Sequence, residues 1–280
     1  MLRRALEEFR STHPLRHAGA VEYVAGGRGG PALVVLPGGI GTAESAMGLV
    51  RALETDRRVL AVGYPPVDSM DAAADAVARV LDAEGIARAD ILGPSYGGMV
   101  AQCFLRRHPE RIRKVVLSNT VAPDPALGVT TAKWVRRLGH VPAPLLRRLM
   151  AIRIASLYRG NPSRVFWKEY AAERFGRQDR RELLTMLTRV ADFNARRFLP
   201  AESPIDAGRM LILDSERDEL VTPEQRRRVR ALYPGASSHT FAGAGHLVAA
   251  TRRPEYLGVV RAFLDGSAST NRQPGDLGGF

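Results

Sequence analysis

Short apolar runs alternate with stretches of helical periodicity along most of the chain. Five runs have the pattern of strands buried on both faces, and they lie at residues 32–36, 58–62, 90–92, 114–117 and 209–213. Apolar residues at helical spacing fill the gaps, most clearly at 71–81, 98–107 and 223–232. This alternation predicts an α/β protein with a mostly parallel sheet flanked by helices. Functional side chains are then expected at the carboxyl ends of the strands.

Segments near the two ends of the chain extend this pattern. Residues 1–10 are expected to form a short amphipathic helix, and residues 18–24, which glycines follow, one antiparallel edge strand. A further strand-like stretch covers 238–241. The end of the chain, 267–280, is rich in Ser, Gly and Pro and is predicted to be a disordered tail.

The alternation stops between about residues 123 and 203, where apolar residues recur at helical spacing without a strand-like run. Two helices are marked there, one by Leu145, Leu146, Leu149 and Met150, the other by Leu183, Leu184, Leu187 and Val190. The sequence therefore predicts a core formed by 1–122 and 204–266, with an inserted helical cap, or lid, at 123–203.

Composition narrows the class of protein. With 45% apolar and 25% charged residues, the chain resembles an ordinary globular protein. No apolar run approaches the roughly 20 residues of a membrane helix, and the first ten residues lack the apolar region of a secretory signal. The single cysteine, Cys103, excludes an internal disulfide and is typical of a reducing compartment. We expect a cytoplasmic protein without membrane insertion.

The formal charge of +12 is a weak indication of a nucleic-acid partner, because 38 of the 41 basic residues are arginine, a bias that GC-rich coding produces. No nucleic acid is predicted. The location of the charge is more informative: residues 121–204 hold 14 Arg and 2 Lys against 7 acidic residues. These arginines either receive an anionic or carrier-linked substrate or simply cover solvated helix faces.

The motif with the clearest chemical meaning is Gly93-Pro94-Ser95-Tyr96-Gly97, which follows the strand at 90–92 and precedes a helix. This is the G-x-S-x-G nucleophile elbow in its strand-turn-helix setting. A serine lifted out on a strained turn crowds its neighbours, so only small side chains fit two residues before and after it. Ser95 is therefore the candidate nucleophile.

A serine hydroxyl needs a base, and the base needs an orienting acid. His246 lies in a glycine-rich loop after the strand-like stretch at 238–241 and is the candidate base. Asp218 lies in the loop after the strand at 209–213 and is the candidate acid, with Asp214 as a reserve. The order Ser95, Asp218, His246 is the order of α/β-hydrolases.

An oxyanion hole needs two N–H donors. The backbone of Tyr96 supplies one, and the loop Pro37-Gly38-Gly39-Ile40-Gly41 the other, with Gly39 preferred and Ile40 in reserve. The competing interpretation of this loop, a phosphate-binding loop, lacks the Lys-Ser/Thr of a P-loop. No metal-ligand spacing is visible, and neither metal nor cofactor is predicted.

Together these residues resemble the α/β-hydrolase superfamily over residues 21–265. Four stretches are similar to its maspardin-like branch: Phe9-Arg10-Ser11-Thr12-His13-Pro14-Leu15, Leu36-Pro37-Gly38-Gly39-Ile40-Gly41-Thr42-Ala43, Tyr64-Pro65 and Leu117-Ser118-Asn119-Thr120. The resemblance implies an α/β-hydrolase fold in which the insert roofs the active site. The superfamily usually has His-Gly where this chain has Pro37-Gly38.

Three functions remain open at this stage. The first is a serine hydrolase that cleaves a small ester or thioester through an acyl-enzyme. The second uses the same site as a lyase, cyclase or acyltransferase in secondary metabolism. The third is a binding protein without catalysis, as some maspardin-like relatives suggest. The substrate-binding residues are unknown, with Trp134, Phe166 and Trp167 of the insert as candidates. Sequence does not define the oligomeric state.

Overall fold

The computed structural model describes residues 2–159, 161, 163–200 and 203–266. Its strands are β1 (Arg16–Ala18), β2 (Val21–Gly26), β3 (Leu33–Val35), β4 (Val59–Val62), β5 (Ala89–Pro94), β6 (Ile112–Ser118), β7 (Met210–Ser215) and β8 (Ser237–Phe241). They form an eight-stranded sheet in the order β1-β2-β4-β3-β5-β6-β7-β8. The pairs β1–β2 and β2–β4 are antiparallel and all others are parallel. The predicted tail, 267–280, lies outside the described residues.

The helices, in chain order, are α1 (Leu2–Thr12), α2 (Met47–Leu53), α3 (Met70–Ala83), α4 (Tyr96–Arg107), α5 (Pro125–Leu138), α6 (Ala143–Leu157), α7 (Arg164–Gly176), α8 (Arg180–Asn194), α9 (Pro223–Leu232), α10 (Val248–Thr251) and α11 (Arg253–Asp265). Side chains of α3, α4 and α9 pack on one face of the sheet, and those of α1, α2 and α11 pack on the other. The alternation within β3 shows the two faces, because Val34 belongs to the first cluster and Leu33 and Val35 to the second.

The mostly parallel sheet with helices on both faces confirms the predicted fold class. All five apolar runs form strands. β3 and β4 are buried along their whole length, as their uninterrupted apolar sequence indicates, and β7 is buried as well although it ends in Asp214 and Ser215. One expectation was wrong. Residues 18–24 do not form one edge strand, because the chain reverses at Gly19, whose φ is +61°, and β1 and β2 become a hairpin. Glycine adopts this left-handed conformation without steric cost.

Four helices, α5 to α8, occupy the described part of the chain between β6 and β7. Helix α5 packs against α8 and α6 against α7, so the insert is built from two helix pairs. Its own small core includes Leu146, Phe175, Leu183 and Leu184. Helix α8 begins with a capping box, in which Asp179 accepts a hydrogen bond from the backbone of Glu182 and the Glu182 side chain accepts one in return. None of the described helices has the length and apolar character needed to cross a membrane.

The turn between β5 and α4 is packed tightly against neighbouring backbone. A Cβ atom on Gly97 would lie 2.0 Å from the carbonyl oxygen of Leu36, and one on Gly93 would lie 2.6 Å from the carbonyl oxygen of Gly97. On Gly98 it would lie 2.5 Å from Thr120 Cβ. All three distances are far inside van der Waals contact, and the first two are to backbone that cannot move aside. The turn therefore excludes any side chain at these positions.

This packing predicts opposite effects for two glycine substitutions. Gly97→Ala is expected to lower the free energy of unfolding by roughly 2–3 kcal/mol, because the added methyl group overlaps the Leu36 carbonyl. The matched control is Gly258→Ala in α11, where no described atom lies within 4 Å of an added Cβ. It should raise stability by about 0.5–1 kcal/mol, since alanine replaces glycine inside a helix. Urea titration measures both, and equal effects would contradict the packing argument.

Candidate active site

Ser95 occupies the sharp turn between β5 and α4, with φ 54° and ψ −120°. A positive φ is unfavourable for a residue with a side chain, so the surrounding contacts must hold it in place. The backbone N–H of Ser95 donates to the carbonyl of Ser118 at the end of β6, over 2.8 Å. The turn thus presents the Ser95 hydroxyl at the carboxyl end of the sheet.

The structure brings the three predicted side chains together. Ser95 Oγ lies 2.9 Å from His246 Nε2, and His246 Nδ1 lies 2.9 Å from both carboxylate oxygens of Asp218. His246 and Asp218 are buried. A hydroxyl, an imidazole and a carboxylate in this order can pass a proton from the serine to the histidine while the acid holds the ring in orientation.

Three groups besides His246 donate hydrogen bonds to Asp218. Its Oδ2 accepts a hydrogen bond from Asn119 Nδ2 over 2.8 Å, and its Oδ1 accepts from the backbone N–H groups of Leu220 and Val221 at 2.8 and 2.9 Å. Burial opposes ionisation of this carboxyl, but the hydrogen bonds from His246 and Asn119 outweigh it and lower the pKa of Asp218. The acid is therefore kept in its charged form.

Asn119 is a site residue that the sequence interpretation did not identify, although it lies in one of the four stretches that resemble the maspardin-like branch. It follows β6 directly, is buried, and has φ 46°. A signal was present: Asn119 follows the strand that pairs with β5, at the same edge as Ser95. An asparagine tolerates the left-handed conformation better than most residues and supplies the N–H donor that Asp218 needs.

Two glutamates hold the loop that carries His246. Glu216 accepts a hydrogen bond from the backbone N–H of Gly243 over 2.6 Å, and Glu219 accepts one from the backbone N–H of His246 over 3.1 Å. The loop after β7 thus positions the loop after β8. The reserve acid, Asp214, points elsewhere, because its Oδ2 accepts hydrogen bonds from Arg230 Nε and Nη2 at 2.9 and 2.7 Å.

The two expected oxyanion donors lie beside Ser95. Tyr96 is the first residue of α4, so its N–H is one of those a helix leaves without an intrahelical acceptor. The glycine loop approaches from the other side: a Cβ on Gly38 would be 4.0 Å from Ser95 Cβ, and Gly39 lines the same cavity as Ser95. Tyr64 braces this loop, with its hydroxyl donating to the Pro37 carbonyl over 2.9 Å.

A cavity of about 740 Å³ opens beside the serine and the histidine. The insert contributes Ile154, Leu157, Tyr158 and Trp167 to its lining, and α1 contributes Leu2. Of the three aromatic candidates, only Trp167 reaches it. Trp134 is 53% exposed on α5, which corrects the expectation for that residue. Phe166 packs behind Trp167 with a ring-centroid distance of 5.0 Å, because it faces the core rather than the cavity.

Salt bridges and hydrogen bonds connect the insert to the core around this cavity. Tyr170 Oη lies 2.7 Å from Thr42 Oγ1, and Arg3 on α1 pairs with Glu169 at 2.9 Å. Arg189 on α8 is buried, and its Nη1 donates to the carbonyl of Pro65 over 2.9 Å. These contacts hold the four helices over the carboxyl end of the sheet.

Cys103 is buried, and burial raises the pKa of its thiol to about 12, so it is not a second nucleophile. No group of three or more His, Cys, Asp or Glu side chains within the described ranges is arranged to hold a metal ion.

A mostly parallel sheet, a serine on a strand-turn-helix and a helical insertion above the strand ends define an α/β-hydrolase fold. The chain matches the family model for the alpha/beta hydrolase fold over residues 31–252, and it belongs to that family. In the solved structure of a hydrolase from Pseudomonas aeruginosa, 98% of that chain superposes on 90% of this one with a TM-score of 0.73 and 21% identity. At that identity the match shows the fold alone.

Two curated relatives cover most of this chain. A 2-hydroxymuconate semialdehyde hydrolase from Pseudomonas putida is 27% identical over 263 residues, which are 85% of this chain and 88% of the relative. The polyketide synthase ThaQ from Burkholderia thailandensis is 30% identical over 265 residues, 87% of this chain. This chain spans only 12% of that synthase's length.

The lowered pKa of Asp218 predicts how stability depends on pH. The ordinary pKa of this carboxyl is 3.8, and its pKa in the folded protein is lower. Its contribution to the free energy of unfolding is therefore complete above pH 3.8 and is lost as the pH falls through the folded pKa. Asp218→Asn should therefore lower the free energy of unfolding by about 1–3 kcal/mol near pH 7. The difference should persist to about pH 5 and shrink below about pH 4.

Asp214→Asn is the matched control for this measurement. Burial raises the pKa of Asp214 despite Arg230 beside it. The contribution of Asp214 to the free energy of unfolding is present at low pH and is lost as the pH rises. The difference in the free energy of unfolding between the wild type and this variant should therefore fall with increasing pH. Urea titrations across the range compare the two variants. If the stability of both variants, relative to the wild type, changed with pH in the same direction, the opposite pKa shifts of Asp218 and Asp214 would be contradicted.

Proposed function

We propose that this protein is a serine hydrolase that cleaves a small ester or thioester substrate through an acyl-enzyme. One observation carries the proposal: Ser95 Oγ lies 2.9 Å from His246 Nε2, whose opposite ring nitrogen faces Asp218. The arrangement activates a hydroxyl that is otherwise a poor nucleophile at neutral pH. Ser95, His246 and Asp218 are the proposed nucleophile, base and acid.

In the proposed reaction, Ser95 Oγ attacks the substrate carbonyl and His246 Nε2 accepts the hydroxyl proton. The carbonyl oxygen becomes an oxyanion between the N–H groups of Tyr96 and Gly39. The carbon–oxygen or carbon–sulfur bond then breaks, and the imidazolium returns the proton to the leaving group. Water, deprotonated by the same imidazole, attacks the acyl-enzyme and releases the acid and the free serine. Asp218 stabilises the imidazolium in both halves.

Family membership supports hydrolysis, and so does the hydrolase name of a relative that matches this chain over most of its length. The chain is also similar to part of a polyketide synthase, and we keep an acyl thioester beside an ester as a proposed substrate class. A small-molecule acyl substrate in the cavity accords with each of them.

The maspardin-like branch and the cytoplasmic location are parts of the same proposal. The branch is supported by four short stretches, two of which lie at the site: the glycine loop and the segment that carries Asn119. The location is supported by one buried cysteine in the whole sequence, a composition that suits a reducing compartment.

Substitution of the serine tests the reaction. Ser95→Ala should abolish labelling by a fluorophosphonate probe and reduce ester turnover by at least about 10³-fold, because no other group supplies the nucleophile. Ser45→Ala is the matched control: Ser45 lines the same cavity, but its hydroxyl donates to the Thr42 carbonyl over 2.6 Å. The control should label and turn over substrate like the wild type.

The same experiment separates the other functions. If wild type and Ser95→Ala convert the physiological substrate equally, the site acts as a lyase or cyclase with His246 as the acid–base. Turnover that requires an acceptor other than water indicates an acyltransferase. If the folded wild type is not labelled at Ser95, the chain is a binding protein.

Trp167 is expected to limit the length of the acyl group. It lines the cavity and stacks on Tyr158 at 5.4 Å between ring centroids. Trp167→Ala should shift the optimum toward longer chains and lower kcat/KM for the shortest esters by about tenfold, the effect of losing roughly 1.4 kcal/mol of contact. Trp134→Ala removes an equally large side chain outside the cavity and should leave the profile unchanged. A 4-nitrophenyl ester series from acetate to decanoate gives both profiles, and matching shifts would refute the role of Trp167.

A further inference from the structure

The cavity beside Ser95 has an uneven distribution of charge. Its described lining contains two arginines, Arg159 and Arg253, together with His246, and it contains no aspartate or glutamate. A concave site whose fixed charges share one sign concentrates ions of the opposite sign. The electrostatic character of the lining therefore favours an anionic ligand.

Neither arginine is used within the fold. No carboxylate of the described residues lies within 4.0 Å of either guanidinium, and neither side chain donates a hydrogen bond to another described residue. The neighbouring Arg252 shows the contrast, because it pairs with Glu255 at 2.7 Å and donates to the carbonyl of Ala242. Arg159 and Arg253 thus keep all their donors available, in a geometry that suits the oxygens of a carboxylate or phosphate.

The Arg253 guanidinium lies closer to the backbone of Gly48 than a side chain at position 48 would allow without a shift. A Cβ atom on Gly48, near the start of α2, would lie 2.8 Å from Arg253 Nη2, and both residues line the cavity. The guanidinium therefore lies directly over the Gly48 backbone. A side chain at position 48 would displace it from the cavity wall.

The segment that carries Arg159 adds neutral donors. Asn161 and Ser163 line the same cavity. Ser163 is the N-cap of α7, but its hydroxyl makes no capping hydrogen bond. The backbone N–H of Ser163 donates to Asn161 Oδ1 over 2.8 Å. The Ser163 hydroxyl and the Asn161 amide nitrogen are therefore further donors in the lining of this cavity.

We propose that Arg159 and Arg253 bind an anionic group of the substrate, a carboxylate or a phosphate, in the cavity that contains Ser95. The proposal rests on the proposed function and deepens it by naming a substrate class. The anion belongs either to the acyl part, as in a dicarboxylic half-ester, or to the leaving group, as in a phosphorylated thiol. A guanidinium recognises both through the same oxygen chemistry.

Binding is measured first, in Ser95→Ala protein, so that turnover plays no part. Calorimetry compares methyl hydrogen adipate, which carries one carboxylate, with uncharged dimethyl adipate. The charged ligand should bind at least about tenfold more tightly, and Arg159→Gln with Arg253→Gln should remove that preference. Arg148→Gln, at an exposed arginine of α6 outside the cavity lining, should retain it. Equal binding of the two ligands, no binding of the charged one, or a preference that survives the double substitution would overturn the anion site.

Gly48→Ala tests the position of the charge without removing it. Because the new methyl group would lie only 2.8 Å from Arg253 Nη2 and force the guanidinium to shift, this variant should lose a part of the preference for the charged ligand while its melting temperature stays at or above that of the parent. If the preference for the charged ligand were unchanged, Arg253 would not bind the anionic group from its position over Gly48.

Turnover by protein with Ser95 intact then locates the anion. One pair of substrates is the 4-nitrophenyl half-ester of adipate and 4-nitrophenyl hexanoate; the other is hexanoyl-4′-phosphopantetheine and hexanoyl-pantetheine. The double substitution should reduce kcat/KM about tenfold or more for the charged member of one pair only, which identifies the acyl part or the leaving group. Loss for neither pair overturns the substrate assignment. If none of the four is hydrolysed while calorimetry shows the charge preference, the hydrolase proposal fails and the anion site stands.

Discussion

The site depends on one close contact between two pieces of backbone. Gly97 at the start of α4 lies so near the Leu36 carbonyl at the end of β3 that a Cβ would come within 2.0 Å of it. This approach places the turn that holds Ser95, with its φ of 54°, directly against the glycine loop. The proposed nucleophile and both expected oxyanion donors therefore come from segments that a single missing methyl group allows to meet.

The order of strands in the sheet explains why residues far apart in the chain converge. β3, β5, β6, β7 and β8 are successive parallel neighbours, so their carboxyl ends form one row. Along that row lie the glycine loop after β3, Ser95 after β5, Asn119 after β6, Asp218 after β7 and His246 after β8. Each strand supplies one part of the site. Neighbouring strands supply Asn119 and Asp218, and then Asp218 and His246, whereas the loop after β8 carries His246 back across β7 and β6 to Ser95. Asn119 in the loop after β6 donates a hydrogen bond to Asp218 in the loop after β7 over 2.8 Å. The order of these residues in the sequence does not reveal this contact.

The arginines of the insert divide into groups with different roles once their contacts are known. Arg181 and Arg196 pair with Asp68 and Asp71 of the core at 2.8 and 2.6 Å, and Arg189 is buried against the Pro65 carbonyl. These side chains attach the insert to the core, a use that neither sequence interpretation of the charge had included. Arg159 differs from them because it faces the cavity. A count of positive charge cannot make this distinction, since it depends on which carboxylates lie within reach.

The sequence by itself determined the fold class and which three side chains to expect together at the candidate site. Buried parallel strands are continuous apolar runs, and the elbow needs glycine at defined positions, so both leave a local signature that a single chain shows. The hairpin of β1 and β2, the role of Asn119, the exposure of Trp134 and the pairing of each arginine were decided only by the tertiary structure. They depend on which segments become neighbours and which oxygen atoms come within hydrogen-bonding distance, and no local pattern of residues records those distances.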